Sequence, residues 1–176
     1  MKLVIDANVV ISALIADSKT RELIVTLEPD LLTPAFVYDE IENYEDLIVE
    51  KSGMELDRVE QFIDLLFQYL EIVPADDFYP AIERADDAIG DTDPDDVLYL
   101  ACAIAQDAAI WSDDTDFDEQ RLVEVYSTSD VIDSFDTLQP VGPSSVSKYR
   151  PRMQHVAAPR VRFDYYSLQA TKPAHN

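Results

Sequence analysis

The chain is 176 residues long, 47% hydrophobic and strongly acidic, with 36 Asp and Glu against 13 Lys and Arg and a formal net charge of −23. That length and apolar content suit one folded domain with a real core plus a tail, and the lone Cys102 excludes an intramolecular disulfide or a thiolate metal cluster within one chain. No apolar run nears the length of a membrane span, and Met1 to Ile5 leads into Asp6 with no basic segment or small-residue cleavage site, so a cytoplasmic protein is expected.

In chain order, Leu3 to Ile5 reads as a short buried strand that ends at Asp6. Ala7 to Ile15 is apolar and helical, and helix continues over Thr20 to Leu27. Leu31 and Leu32 form a short strand. Thr33 and Pro34 then read as a cap followed by proline at the first helical position. Val37, Ile41, Tyr44 and Ile48 follow at helical spacing, with Glu40 early in that helix. Ser52 and Glu55 have the spacing of a capping box. They precede a helical core stripe of Val59, Phe62, Ile63, Leu66 and Leu70.

Glu71 to Val73 is a strand ended by Pro74, and Phe78 to Ile89 a helix stopped at Gly90. Asp93 and Pro94 repeat the cap-plus-proline signal before Asp96, and Val97, Leu100, Ala101 and Ile104 make the buried face of the next helix. Cys102 lies on its apolar side and reads as a small buried hydrophobe. Ala109 to Trp111 and Val123 to Tyr126 are strands, with Trp111 in the core, and Ser129 to Leu138 closes the body as a helix. Short strands alternating with helices predict an α/β fold with a central parallel sheet covered on both faces. No internal repeat is visible.

The charge is unevenly placed. Residues 1–139 hold 35 acids against seven Lys and Arg, giving −28, whereas residues 140–176 hold only Asp164 against six, giving +5. An acidic body repels polyanions. At 1 M salt, however, the screening length falls to about 3 Å, and a chain with so few basic residues and ordinary apolar periodicity reads as the product of a high-salt cytoplasm. The body is expected to be residues 1–138. Residues 139–176, with Pro140, Pro143, Pro151, Pro159 and Pro173, are expected to be an extended or disordered basic tail. The functional alternative for the tail is a basic arm whose Tyr149, Phe163, Tyr165 and Tyr166 touch RNA or a partner.

Against this background of solvated acids a few stand out. Asp6 follows a strand, Glu40 and Asp96 sit at the beginnings of helices, and Asp114 and Asp116 follow the strand ending in Trp111. Acids that follow strands and open helices converge at one edge of a parallel sheet, which builds a hard-metal site from oxygen ligands alone. Carboxylates held together repel one another, so they stay ionised when a cation accompanies them. Mg2+ or Mn2+ suits such a donor set and supports phosphoryl chemistry. The two histidines, His155 and His175, both fall in the tail, so the body has no histidine general base, and a histidine-containing triad is excluded unless the tail folds back.

These segments together resemble the PIN domain family. Val4-Ile5-Asp6-Ala7-Asn8 looks like its opening strand and acid, Thr33-Pro34 through Glu40-Ile41 like its second acid, Asp93 through Ala103 like its third acid and small-residue helix, and Trp111 through Phe117 like its closing strand and acids. The resemblance covers roughly residues 1–138. It implies a three-layer α/β/α sandwich and metal-dependent RNA cleavage, as in VapC-type toxins and related ribonucleases. It also implies metal-binding roles for Asp6, Glu40, Asp96 and Asp114, with Asp116 as an additional or second-metal ligand. Asn8 would orient Asp6 or a bound water, and Ser112 matches a position where relatives carry threonine or serine. The partners implied are an RNA substrate, a small antitoxin protein and a second copy of the chain.

Bland readings compete at each position. Glu40 has acidic neighbours in Asp39 and Glu42. Asp96 competes with Asp93, read as a helix cap, and with Asp95, a favourable acid at a helix start. Asp113 and Asp118 share the loop of Asp114 and Asp116. Three functions follow: a Mg/Mn-dependent endoribonuclease, a non-catalytic PIN-like module that binds RNA or protein, and, last, a phosphatase of the haloacid dehalogenase type. The phosphatase normally needs an aspartate where Asn8 stands.

Overall fold

The computed structural model describes residues 2–15, 19–26 and 30–138. Five strands form one wholly parallel sheet: β1 (Lys2–Ile5), β2 (Asp30–Pro34), β3 (Glu71–Val73), β4 (Ala109–Trp111) and β5 (Val125–Tyr126), in the order β3-β2-β1-β4-β5. The register places Val4 beside Leu32 on one side and beside Ile110 on the other. From β1 the chain winds outward to β2 and β3, then crosses to β4 and β5 on the other side. The direction of winding therefore reverses between β1 and β4, and the carboxyl ends of those two strands border the crevice that such a reversal opens.

The central strand is apolar throughout, as a strand covered on both faces must be: Leu3, Val4 and Ile5 are fully buried. Around the sheet run α1 (Ala7–Ile15), α2 (Lys19–Thr26), α3 (Val37–Asn43), α4 (Glu45–Ser52), α5 (Leu56–Leu66), α6 (Ala75–Phe78), α7 (Ile82–Ile89), α8 (Asp96–Gln106) and α9 (Thr128–Leu138). Helix α1 packs on α2 to α5, while α8 lies over β1, β2 and β4 with α6 and α7 against it. The result is the three-layer α/β/α sandwich. Helix α8 is buried from Asp96 through Ala103 without a break, so it is a central core helix and not the one-sided helix that the sequence spacing suggested; only Ile104 of the expected face is partly open. Trp111, fully buried, donates its indole N–H to Thr128 Oγ1 at 3.0 Å, which satisfies its one polar atom. No helix among the described residues is long and apolar enough to cross a membrane.

Several local expectations change. Thr33 and Pro34 do not cap a helix: they finish β2, where Pro34 sits at the strand end opposite Val73, and α3 starts only at Val37. A proline is tolerated there because the ladder passes to Ala35, whose N–H reaches Val73 O at 3.0 Å. The stripe from Val37 to Ile48 is two helices, broken at Tyr44, which is exposed. Ser52 and Glu55 form no capping box. Ser52 ends α4, Gly53 takes the left-handed conformation (φ 68°) that stops it, and Ser52 Oγ accepts from Met54 N at 3.2 Å. The helix expected over 78–89 is split by the turn at Tyr79–Ala81, because Pro80 has no N–H to continue the ladder. Strand β5 is two residues long, shorter than expected. Leu27 and the whole of the tail, 139–176, with its histidines and aromatics, lie outside the described residues.

Candidate metal centre

Asp6 continues β1 by one step. Its N–H donates to Trp111 O at 3.1 Å, and its own carbonyl accepts from Val9 and Val10 to start α1. The strand-to-helix switch leaves its side chain 2% exposed. Asp6 Oδ1 accepts from the Asn8 backbone N–H at 3.3 Å and Oδ2 from Ser112 Oγ at 2.6 Å. Burial raises the Asp6 carboxyl above its ordinary range, the hydrogen bonds from Ser112 and Asn8 pull it back, and Asp114 pushes it up again.

Ser112, the first residue past β4, organises the next acids. Its buried oxygen also accepts from Asp114 N at 2.9 Å, and Asp114 Oδ1 in turn accepts from Asp116 N at 3.0 Å, capping the 3-10 turn Thr115–Glu119. Within the same loop Asp113 serves another purpose. Its two oxygens take the N–H and the hydroxyl of Thr128, at 2.7 and 2.6 Å, and so fasten the start of α9. Asp118 is exposed.

Glu40 lies half-buried on α3, where the Tyr99 hydroxyl of α8 donates to its Oε2. Burial drives its carboxyl up to about 8; the Tyr99 bond opposes this, and the charges of Asp6, Asp95 and Asp93 add to it. Asp96 is the first residue of α8 and 8% exposed. It too is pushed up to about 8, by burial first and then by Asp6, Asp93, Asp114 and Asp116. Two buried side-chain oxygens among the described residues lack a hydrogen-bond partner, Thr33 Oγ1 and Asp96 Oδ2. An orphaned carboxylate oxygen surrounded by other carboxylates is costly unless a cation completes it.

At the sheet edge Asp6, Glu40, Asp96, Asp114 and Asp116 are linked by charge, and of these only Asp96 and Asp116 belong to the tight group of acids among the described residues. It adds Asp93. One carboxylate oxygen from each of Asp93, Asp96 and Asp116 lies within 4.8 Å of the others. Asp93 does not cap α8, whose N-cap position is Asp95 with no side-chain capping bond; it accepts instead from Asp95 N at 2.8 Å. Its Oδ1 closes the turn through Pro94, and α8 starts at Asp96, later than a helix with Pro94 in first position would. That turn folds Asp93 back beside the acid three residues on, a proximity that a cap reading hides. Asn8 is exposed and reaches the cluster through its bonds to Asp6. Among the described residues no lysine or arginine pairs with these six acids; the ion pairs Lys19–Glu22 and Lys51–Glu50 are exposed and local. Oxygen donors only, no basic counter-ion and one unsatisfied buried oxygen fit a hard divalent cation such as Mg2+ or Mn2+. Cys102 is no part of this: it is buried in the core and its thiol is pushed up to about 12 by burial alone.

Residues 4–128 match the family described as PIN domain, a span of well over half the chain. No curated protein matches. Among solved structures, the chain is similar to one described as VapBC2 from Rickettsia felis bound to a DNA fragment from their promoter. The TM-score is 0.58 at 14% sequence identity, over 72% of this chain and 98% of the other.

Proposed function

The chain belongs to the PIN domain family, and from that premise we propose that it is an endoribonuclease that hydrolyses RNA phosphodiester bonds at a Mg2+ or Mn2+ centre. Asp6, Glu40, Asp96 and Asp114 would hold the ion, with Asp116 and Asp93, each with an oxygen within 4.8 Å of one of Asp96's, as further ligands. The observation that carries this reading is Asp96 Oδ2, buried and without a partner in a cluster of carboxylates. When bound, the divalent ion supplies an activated water and offsets charge on the phosphodiester. The protein's part is to present oxygens without competing cations. Ser112 holds Asp6 Oδ2 and the Asp114 N–H together, so the first and fourth acids move as one unit. Asn8 steadies Asp6 from the α1 side. Among the described residues, which contain no histidine, carboxylates and water are the groups that can carry protons.

The acid field itself repels RNA. Neutralisation of the cluster is therefore a condition for substrate approach, and high salt screens the rest of the acidic body. The same reading makes the chain the toxin of a toxin–antitoxin pair, held in check by a small antitoxin protein and working as a homodimer. It rests on the likeness in fold to the VapBC2 structure. Expression of the wild type should arrest growth, and expression of Asp6→Asn should not.

The decisive test is cleavage of a mixed RNA pool at high KCl, with Mn2+ or with EDTA, by wild type and Asp6→Asn. Metal-dependent cutting that disappears in the mutant supports the nuclease. Cutting that survives Asp6→Asn sinks the assignment. A folded wild type that cuts nothing and binds no Mn2+ points to a non-catalytic module for RNA or protein.

A further inference from the structure

We propose that Tyr99 is a positioning residue for this centre, its hydroxyl pinning one oxygen of Glu40 so that the other is left for the cation. The inference rests on the carboxylate-metal reading above. Tyr99 stands three residues after Asp96, one turn along α8, and is 1% exposed. Its hydroxyl donates to Glu40 Oε2 and lies near the backbone of Ala7, the residue after Asp6. One hydroxyl therefore ties α8, which opens with the third acid, to α3, which carries the second, beside the start of α1.

Packing alone does not account for it. A phenylalanine would fill the same space, and a hydroxyl taken into the core costs free energy unless it is paired. Here the pairing is to a carboxylate that has acidic neighbours in Asp6, Asp93 and Asp95 and, among the described residues, no basic partner. A neutral donor suits that place. It orients the carboxylate without the positive charge by which a lysine would compete with the ion. Groups that hydrogen-bond to metal-ligating carboxylates fix ligand geometry in this way, and their loss weakens metal binding about 10–100-fold.

The test is a double-mutant cycle read by Mn2+ binding in the absence of RNA, on wild type, Tyr99→Phe, Glu40→Gln and the double variant, at a temperature where melting curves show all four folded. Tyr99→Phe should weaken Mn2+ binding by at least about 10-fold. In the Glu40→Gln background the same change should cause no further loss, because Tyr99 acts through Glu40. With RNA present, Tyr99→Phe should lower kcat at saturating substrate, and added Mn2+ should recover most of it. Wild-type Mn2+ affinity in Tyr99→Phe, beside a weakened Glu40→Gln, overturns the proposal and leaves the metal reading standing. Losses that simply add in the double variant overturn it too, since they mark a general packing role. If Glu40→Gln and Asp96→Asn both bind Mn2+ like wild type, the metal centre itself is wrong and the proposal falls with it.

Discussion

Helices α4 and α5 carry acids almost as densely as the crevice beside β1 and β4, yet the two regions obey different physics. Asp46, Glu50, Asp57, Glu60 and Asp64 are exposed, and each is free to be hydrated. Asp6 and Asp96 are buried, Glu40 is half-buried, and their carboxyls are raised by burial and by one another. Water separates the first set, and the fold forces the second together. The same residue type is therefore a solubility device on one side of the molecule and a stored electrostatic cost on the other. Stability withheld at such a place is characteristic of a working site.

The sharpest way to break the comparison is to remove charge from each region. Asp6→Asn or Asp96→Asn should reduce RNA cleavage by more than about 100-fold, the upper end of what loss of a supporting group achieves. Glu60→Gln on α5 should change it less than about two-fold, since it removes one screened surface charge. Equal effects in a cleavage assay would erase the distinction. Ser112→Ala comes next: it deprives Asp6 Oδ2 and the Asp114 N–H of their shared partner, and cleavage should fall about 10–100-fold with Mn2+ affinity falling alongside.

The pH dependence of stability sharpens the same contrast. Glu40 and Asp96 sit at about 8 in the folded protein, against 4.5 and 3.8 for the free groups. The folded state thus binds their protons more tightly than the unfolded state does. Their favourable contribution is complete below about pH 4 and is lost as pH climbs through about 8. Metal-free protein should therefore melt at lower temperature at pH 8.5 than at pH 5.5. Mn2+ should restore much of the loss, and Asp96→Asn should flatten the profile. A metal-free melting temperature that rises over this interval would contradict the picture. The smallest effect belongs to Asp113, an acid of the site's own loop that serves α9: Asp113→Ala should cost about 1 kcal/mol in denaturant unfolding and leave Mn2+ affinity unchanged.

Much of this was legible along the chain. The apolar run ending at Asp6, the alternation of short strands with helices, and Asp96 ahead of a small-residue helix all announced a parallel α/β sheet with acids at one edge. The failures share a cause. Thr33-Pro34 and Ser52-Gly53-Met54-Glu55 carry helix-start patterns, but local patterns are weak priors that the surrounding fold overrides. Pairing with β3 kept Thr33 and Pro34 in a strand, and Gly53 turned Ser52 into the end of α4. Asp93 reads as a cap in the sequence, and its nearness to Asp116 stays hidden because the two stand 23 positions apart in the chain.

By itself the sequence determined the class of the fold, the order of its elements and a short set of acids, since periodicity, strand ends and helix starts are written in neighbouring residues. Tertiary structure alone decided which acids share a crevice, which one keeps an oxygen without a partner, and that Tyr99 reaches Glu40 across 59 positions of chain. Desolvation and charge coupling depend on distances through space, and the winding order β3-β2-β1-β4-β5 is what sets them.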